Sequence, residues 1–203
     1  MHLKRFTIYI VGFFMQVLPL CMFESCYNDK AKALHTIEEL TENRIRLPLN
    51  KMDEVRSDNF DKSITNKGSL RLVVYIDSFQ CSPCLIDKIF QWNDKIKEAD
   101  KRKGSLSFIF IVAPKRRQIE DTYLSIKSCG LVVPIYVDTA YAFNEANLFL
   151  PKSNVYHTFL IDGRGKILII GNPLTNDKID KLMRNFIKDN LKKEIHANNT
   201  SKV

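Results

Sequence analysis

The sequence predicts an α/β domain, a central mixed sheet with helices on its faces, behind an N-terminal signal or anchor segment. Three observations predict it. The apolar run over residues 70–77 (LRLVVYID) reads as a buried strand, and helical spacing at Leu85, Ile89, Trp92 and Ile96 follows it directly. Strand-like and helix-like stretches then alternate as far as residue 150. Finally, residues 156–162 (YHTFLID), the turn Gly163-Arg164-Gly165 and residues 166–170 (KILII) read as a hairpin, followed by an amphipathic helix.

In chain order, residues 1–26 form the first segment. Met1-His2-Leu3-Lys4-Arg5 is a basic start, and residues 6–23 carry no charge (FTIYIVGFFMQVLPLCMF). A basic region followed by an apolar one is the export pattern. An uncleaved helical anchor is the alternative, because eighteen residues is close to the minimum needed to span a bilayer. Ser25-Cys26 resembles the end of a bacterial lipoprotein signal, with a small residue before the cysteine that takes the lipid; Phe23 and Glu24 depart from that pattern. Lipidation, simple cleavage and an uncleaved anchor all place residues 27–203 outside the cytoplasm; a membrane-attached position facing the periplasm, by a lipid at Cys26, is expected.

Residues 27–69 form a tether and a lead-in to the fold. A short helix is expected over residues 31–44, an edge strand over 45–49 limited by Pro48, and a loop over 57–68. The domain proper spans 70–191. After the first strand and its helix, residues 105–113 (SLSFIFIVA) read as a central strand and 116–128 as a helix stopped at Gly130. Residues 132–138 (VVPIYVD) are a third strand and 139–150 a short helix. The closing helix starts after Pro173, with Ile179, Leu182, Met183, Phe186 and Leu191 as its apolar positions. Residues 192–203 are expected as a polar tail.

The chemistry centres on Cys81-Ser82-Pro83-Cys84, two cysteines where a strand turns into a helix. Free N–H groups at a helix start favour an anion, so Cys81 is expected to be the low-pKa nucleophile. Cys84, one turn on, is placed to close a disulfide, and Pro83 suits a first turn where its missing N–H costs nothing. A redox-active pair is the reading this context favours. An inert disulfide and half of a zinc site are the alternatives, but only Cys129 and scattered histidines remain to complete a metal site. No cofactor motif surrounds the pair, so no cofactor is expected and the substrate is expected to be a protein chain.

Composition narrows the partners. The formal net charge is +8, spread over Lys95-Ile96-Lys97, Lys101-Arg102-Lys103, Lys115-Arg116-Arg117 and Lys192-Lys193. No basic stripe is interleaved with aromatics, which excludes a nucleic-acid groove. Five cysteines in 203 residues do not make a disulfide scaffold.

The strand order, the CxxC after the first central strand, and the segment Thr158-Phe159-Leu160-Ile161-Asp162-Gly163-Arg164-Gly165-Lys166-Ile167 together resemble the thioredoxin-like fold from about residue 70 to 188. The hairpin is most similar to the extracytoplasmic TlpA/ResA-like branch, and to uncharacterised Bacteroidetes envelope proteins in which a Gly-Asn-Pro follows it, here Gly171-Asn172-Pro173. The resemblance implies an envelope thiol–disulfide oxidoreductase with Cys81 and Cys84 as its redox disulfide. It further implies a substrate loop at Val155, Tyr156 and His157, protein thiol or disulfide substrates, and an upstream envelope redox partner.

Three positions depart from the family. Tyr156 stands where a cis-proline faces the cysteines, so a trans or remodelled loop is expected. Tyr75 stands where many members carry a buried carboxylate. Gln80 replaces a tryptophan. Ser78-Phe79-Gln80-Cys81 echoes a peroxiredoxin motif, but Val74 occupies the place of its upstream proline. The alternative function is a non-catalytic binding module, or a Cu(I)-handling protein with His157 as third ligand. Otherwise His157 is expected as a strand-end histidine half in solvent, Asp77 and Asp87 as exposed charges, and Cys129 as a buried cysteine without a role.

Overall fold

In the computed structural model the described residues are 30–79, 82–101 and 106–200, with backbone alone for Ser82 and 193–200. The expectations for residues 1–26, for Gln80 and Cys81 and for part of the basic cluster at 101–103 fall outside them. Two compact units are present, residues 1–39 and 40–203. A helix, α1, runs over residues 30–42. Within its first-unit part Leu34 is exposed, so the three-residue recurrence of apolar side chains there does not mark a continuous buried stripe.

The second unit holds a six-stranded mixed sheet: β1 (Asp53–Val55), β2 (Leu70–Ile76), β3 (Leu106–Val112), β4 (Ile135–Val137), β5 (Thr158–Ile161) and β6 (Ile167–Ile170). The strand order is β1-β4-β3-β2-β5-β6. β2, β3 and β4 are mutually parallel, while β1, β5 and β6 pair antiparallel. The helices are α2 (Ser82–Ile86), α3 (Asn93–Lys101), α4 (Ile119–Ser128), α5 (Ala142–Ala146) and α6 (Asp177–Thr200). A βαβ half (β2, α2 with α3, β3) and a ββα half (β5, β6, α6) are joined through the β2–β5 pairing. This is the thioredoxin-like fold.

Alternation divides the sheet's side chains between two cores. Leu72, Val74, Phe108, Phe110, Ile135 and Leu160 point to one face, where Ile89, Trp92, Ile96, Ile126 and Met183 cover them. Val73, Tyr75, Ile109, Ile111, Phe159 and Ile161 point to the other, among Leu40, Ile45 and Phe143. Both faces of β2 and β3 are therefore dry, which is why these strands read as near-continuous apolar runs.

Several boundaries differ from the sequence reading. The segment after the CxxC is broken rather than one helix. Ile86, Ile89 and Trp92 are buried at three-residue steps, the period of a 3-10 helix, and residues Ile89–Trp92 form one. Trp92, Ile96 and Ala99 then continue at α spacing. Leu85 consequently lies on the exposed side. Residues 45–49 form no strand: Lys51 and Met52 donate to Pro48 and Leu49 in a 3-10 turn, and the edge strand is β1 instead. The helix expected over 139–150 shortens to α5. α6 continues through the expected polar tail to Thr200, since no Gly or Pro interrupts residues 177–200. Its Leu182 faces outward, and Ile187 takes the buried position.

Candidate functional site

β2 delivers the motif. It ends at Ile76, Asp77 caps the following turn by accepting the Phe79 N–H on Oδ1 at 3.0 Å, and α2 begins at Ser82. Pro83 sits in the first turn of α2, where no N–H is required of it. Cys84 is exposed and disulfide-bonded, and its partner lies outside the described residues. α2 has only five residues. That is too short for the aligned peptide dipoles of a long helix.

A groove of about 350 Å³ is lined by Leu85, the residue after Cys84, and by Lys88, Trp92, Val155, Asn172 and Leu174 among others. Two features shape its far wall. One is the loop leading into β5, a 3-10 turn over Asn154–Tyr156. The other is the Gly171-Asn172-Pro173 turn, in which the Asn172 carboxamide accepts the Leu174 N–H at 2.8 Å. Phe79 and Val155 are exposed apolar side chains, at 74% and 62%.

The three residues of the expected substrate loop occupy different places. Val155 lines the groove. Tyr156 packs with the second core. His157 is buried at 3% exposure, not half in solvent, because β5 begins at the next residue and its backbone already belongs to the sheet: the Tyr75 N–H donates to His157 O at 2.9 Å. Among the described residues no peptide bond is cis.

Asp77 is likewise buried, at 6% exposure, and is not the exposed charge the sequence suggests. The reason is His157, whose Nδ1 lies 3.6 Å from Asp77 Oδ2. The other ring nitrogen, Nε2, is 2.8 Å from the Pro151 carbonyl, so it is the donor there. Both ring nitrogens are thus turned to protein acceptors, and the ring is not presented as a metal ligand. Sequence spacing could not bring Asp77 and His157 together; the β2–β5 pairing does, by setting their strands side by side.

Tyr75 stacks at a tilt on Phe143 with centroids 4.6 Å apart and on His157 at 5.2 Å. Burial, then the charges of Asp77 and Asp138, push its phenol above the ordinary tyrosine range, so it stays protonated. Cys129 is a free thiol at the end of α4, 5% exposed. Burial is the main cause pushing it up, and the Asp87 charge adds to this.

No protein-family model matches the chain, and no curated protein does. Solved structures do show likenesses. The chain is 15% identical to a Chlorobium tepidum protein provisionally named thiol:disulfide interchange protein DsbE, over 71% of this chain and 98% of that one, with a TM-score of 0.42. It is 18% identical to the exposed lipoprotein thioredoxin Etrx1 of Streptococcus pneumoniae, over 68% and 98%, at 0.37. It is 15% identical to a Bacteroides fragilis conserved protein of unknown function, over 64% and 93%, at 0.38. The fold itself is read from the sheet, whose order and pairing are thioredoxin-like, with Ser82-Pro83-Cys84 opening α2 after β2.

Proposed function

We propose that the chain is a thiol–disulfide oxidoreductase of the cell envelope, acting on protein disulfides through Cys81 and Cys84. The observation that carries this is Cys84 itself. It is exposed and held in a disulfide on the short helix that follows central strand β2, one residue before Leu85 of the groove wall. In the reductive direction the Cys81 thiolate attacks a substrate disulfide, forming a mixed disulfide and releasing one substrate thiolate. Cys84 then attacks the Cys81 sulfur, releasing the second substrate thiolate and closing the Cys81–Cys84 disulfide. Two electrons pass to the substrate, and an upstream dithiol partner restores them.

The groove wall at Val155, with Tyr156 and His157 behind it, serves as the substrate loop. Membrane attachment is through a lipid at Cys26 or through the apolar segment at residues 6–23, with the following residues as tether. The multiple acyl chains of a lipoprotein anchor stably, whereas one chain does not.

The test is an insulin disulfide-reduction assay with dithiothreitol as electron source. Wild type is expected to accelerate it at least tenfold, and Cys81→Ser and Cys84→Ser to fall to the uncatalysed rate. Equal rates with and without the protein would overturn the reading. Labelled palmitate is expected to enter the wild type but not Cys26→Ala.

A further inference from the structure

The buried Asp77–His157 contact has an odd geometry. Pro151 O can only accept, so Nε2 carries a hydrogen. In the neutral ring Nδ1 is then a bare acceptor facing a carboxylate, itself an acceptor. The two stand 3.6 Å apart, and Nδ1 is buried with no hydrogen-bond partner. That spacing lies beyond hydrogen-bond reach. One proton on Nδ1 turns the repelling pair into a charge-assisted hydrogen bond, which would close to about 2.7–2.9 Å.

Each partner also holds one border of the motif's mouth. Asp77 Oδ1 fixes the turn into the CxxC through Phe79 N–H. His157 fixes the loop into β5 through Pro151 O and through its own N–H to Asn154 O at 3.0 Å.

We propose that Asp77 and His157 are positioning residues that form a proton-operated latch between the turn entering the CxxC and the loop of residues 151–157. Protonation of Nδ1 closes the latch and restrains the loop against the motif; loss of that proton releases it. The titratable group stacked on the ring is Tyr75 of β2, and beyond it Asp138 after β4 and Tyr141 before α5 act on the Tyr75 phenol. Because Tyr75 stays protonated, it does not contribute a competing charge. The effect of the latch on turnover rests on the reading of Cys81 and Cys84 as the redox pair.

The experiment compares the rate at which dithiothreitol reduces the Cys84 disulfide in wild type, Asp77→Asn and His157→Phe, at pH 5.5 and pH 8. An asparagine amide donates to a bare Nδ1 while its oxygen still accepts from Phe79, so Asp77→Asn is latched at pH 8, but it meets a protonated Nδ1 donor to donor and opens at pH 5.5; His157→Phe is open at both. Ratios at a single pH cancel the ionisation of the reductant. Wild type is expected to be reduced at least fivefold more slowly than His157→Phe at pH 5.5 and to match it at pH 8, with Asp77→Asn showing the reverse order. Ratios that do not change with pH would overturn the latch.

Hydrogen exchange in wild type alone gives a second readout that requires neither a variant that folds nor any oxidoreductase activity. After correction for intrinsic exchange, residues 151–157 are expected to be at least fivefold more protected at pH 5.5 than at pH 8. Equal protection would overturn the latch while leaving the proposed function standing.

Discussion

At the scale of single residues, buried polar side chains carry more of this fold than its apolar pattern reveals. Asp138 is fully buried, and its two carboxylate oxygens accept the N–H groups of Ala142 and Phe143 at 2.9 and 2.8 Å, capping α5. Asp138→Ala leaves both donors buried without partners, so a loss of about 2–4 kcal/mol is expected in urea denaturation, each orphaned group costing roughly 1–3 kcal/mol. Gly165 has φ +82°, and a Cβ there would stand 2.2 Å from Ile45 O. Gly165→Ala is therefore expected to lower the melting temperature through both strain and that clash, whereas Gly163→Ala, with its nearest contact at 3.8 Å, is expected to be mild. The turn at Gly163-Arg164-Gly165 was legible from composition alone. Which of its two glycines is obligatory was not, because that depends on Ile45 approaching from 120 residues upstream in the chain.

At the scale of elements, the apolar runs that became β2, β3 and β5 were legible because two dry faces leave no other reading for them, and β6 was legible from the turn that pairs it with β5. The break between α2 and α3 was visible in principle, in the change of apolar spacing from three residues to four at Trp92. Its anchor was not, because Asn93 secures the start of α3 by reaching a distant loop: its amide donates to Gly130 O at 2.8 Å and its oxygen accepts from Val132 N–H at 3.1 Å. Asn93→Ala is expected to cost about 1–3 kcal/mol and to raise hydrogen exchange over residues 130–132. Strand β1 was missed because three residues of mixed polarity, only one of them buried, carry no period. Asp77 and His157 were misjudged for a related reason: each is polar and stands at a strand end in the sequence, and only the sheet shows that they face one another.

At the scale of the whole molecule, the two-faced sheet buries groups that titrate only at high pH. Burial raises Cys129 above its ordinary 9.0 and Tyr75 above 10.0. Tyr123 is pushed to about 12, again by burial and then by its bond to Asp53. The folded state keeps these protons where the unfolded chain releases them. Their stabilising contribution is therefore complete below about pH 9 and is lost as pH rises through the folded values. Denaturant midpoints are expected to fall between pH 8.5 and 10.5, with Cys129→Ala flattening the earliest part of the decline; a midpoint that rose over this interval would contradict the assignment.

The same architecture places the Cys84 disulfide at an exposed helix start rather than in either core, so it should be reducible without unfolding. The most direct measurement equilibrates the protein in glutathione buffers of graded potential and follows free thiols by alkylation, with circular dichroism recording the fold. The account predicts a single reversible two-electron transition in the folded protein, absent in Cys81→Ser and in Cys84→Ser. A disulfide that resists every buffer until the protein is denatured would contradict it.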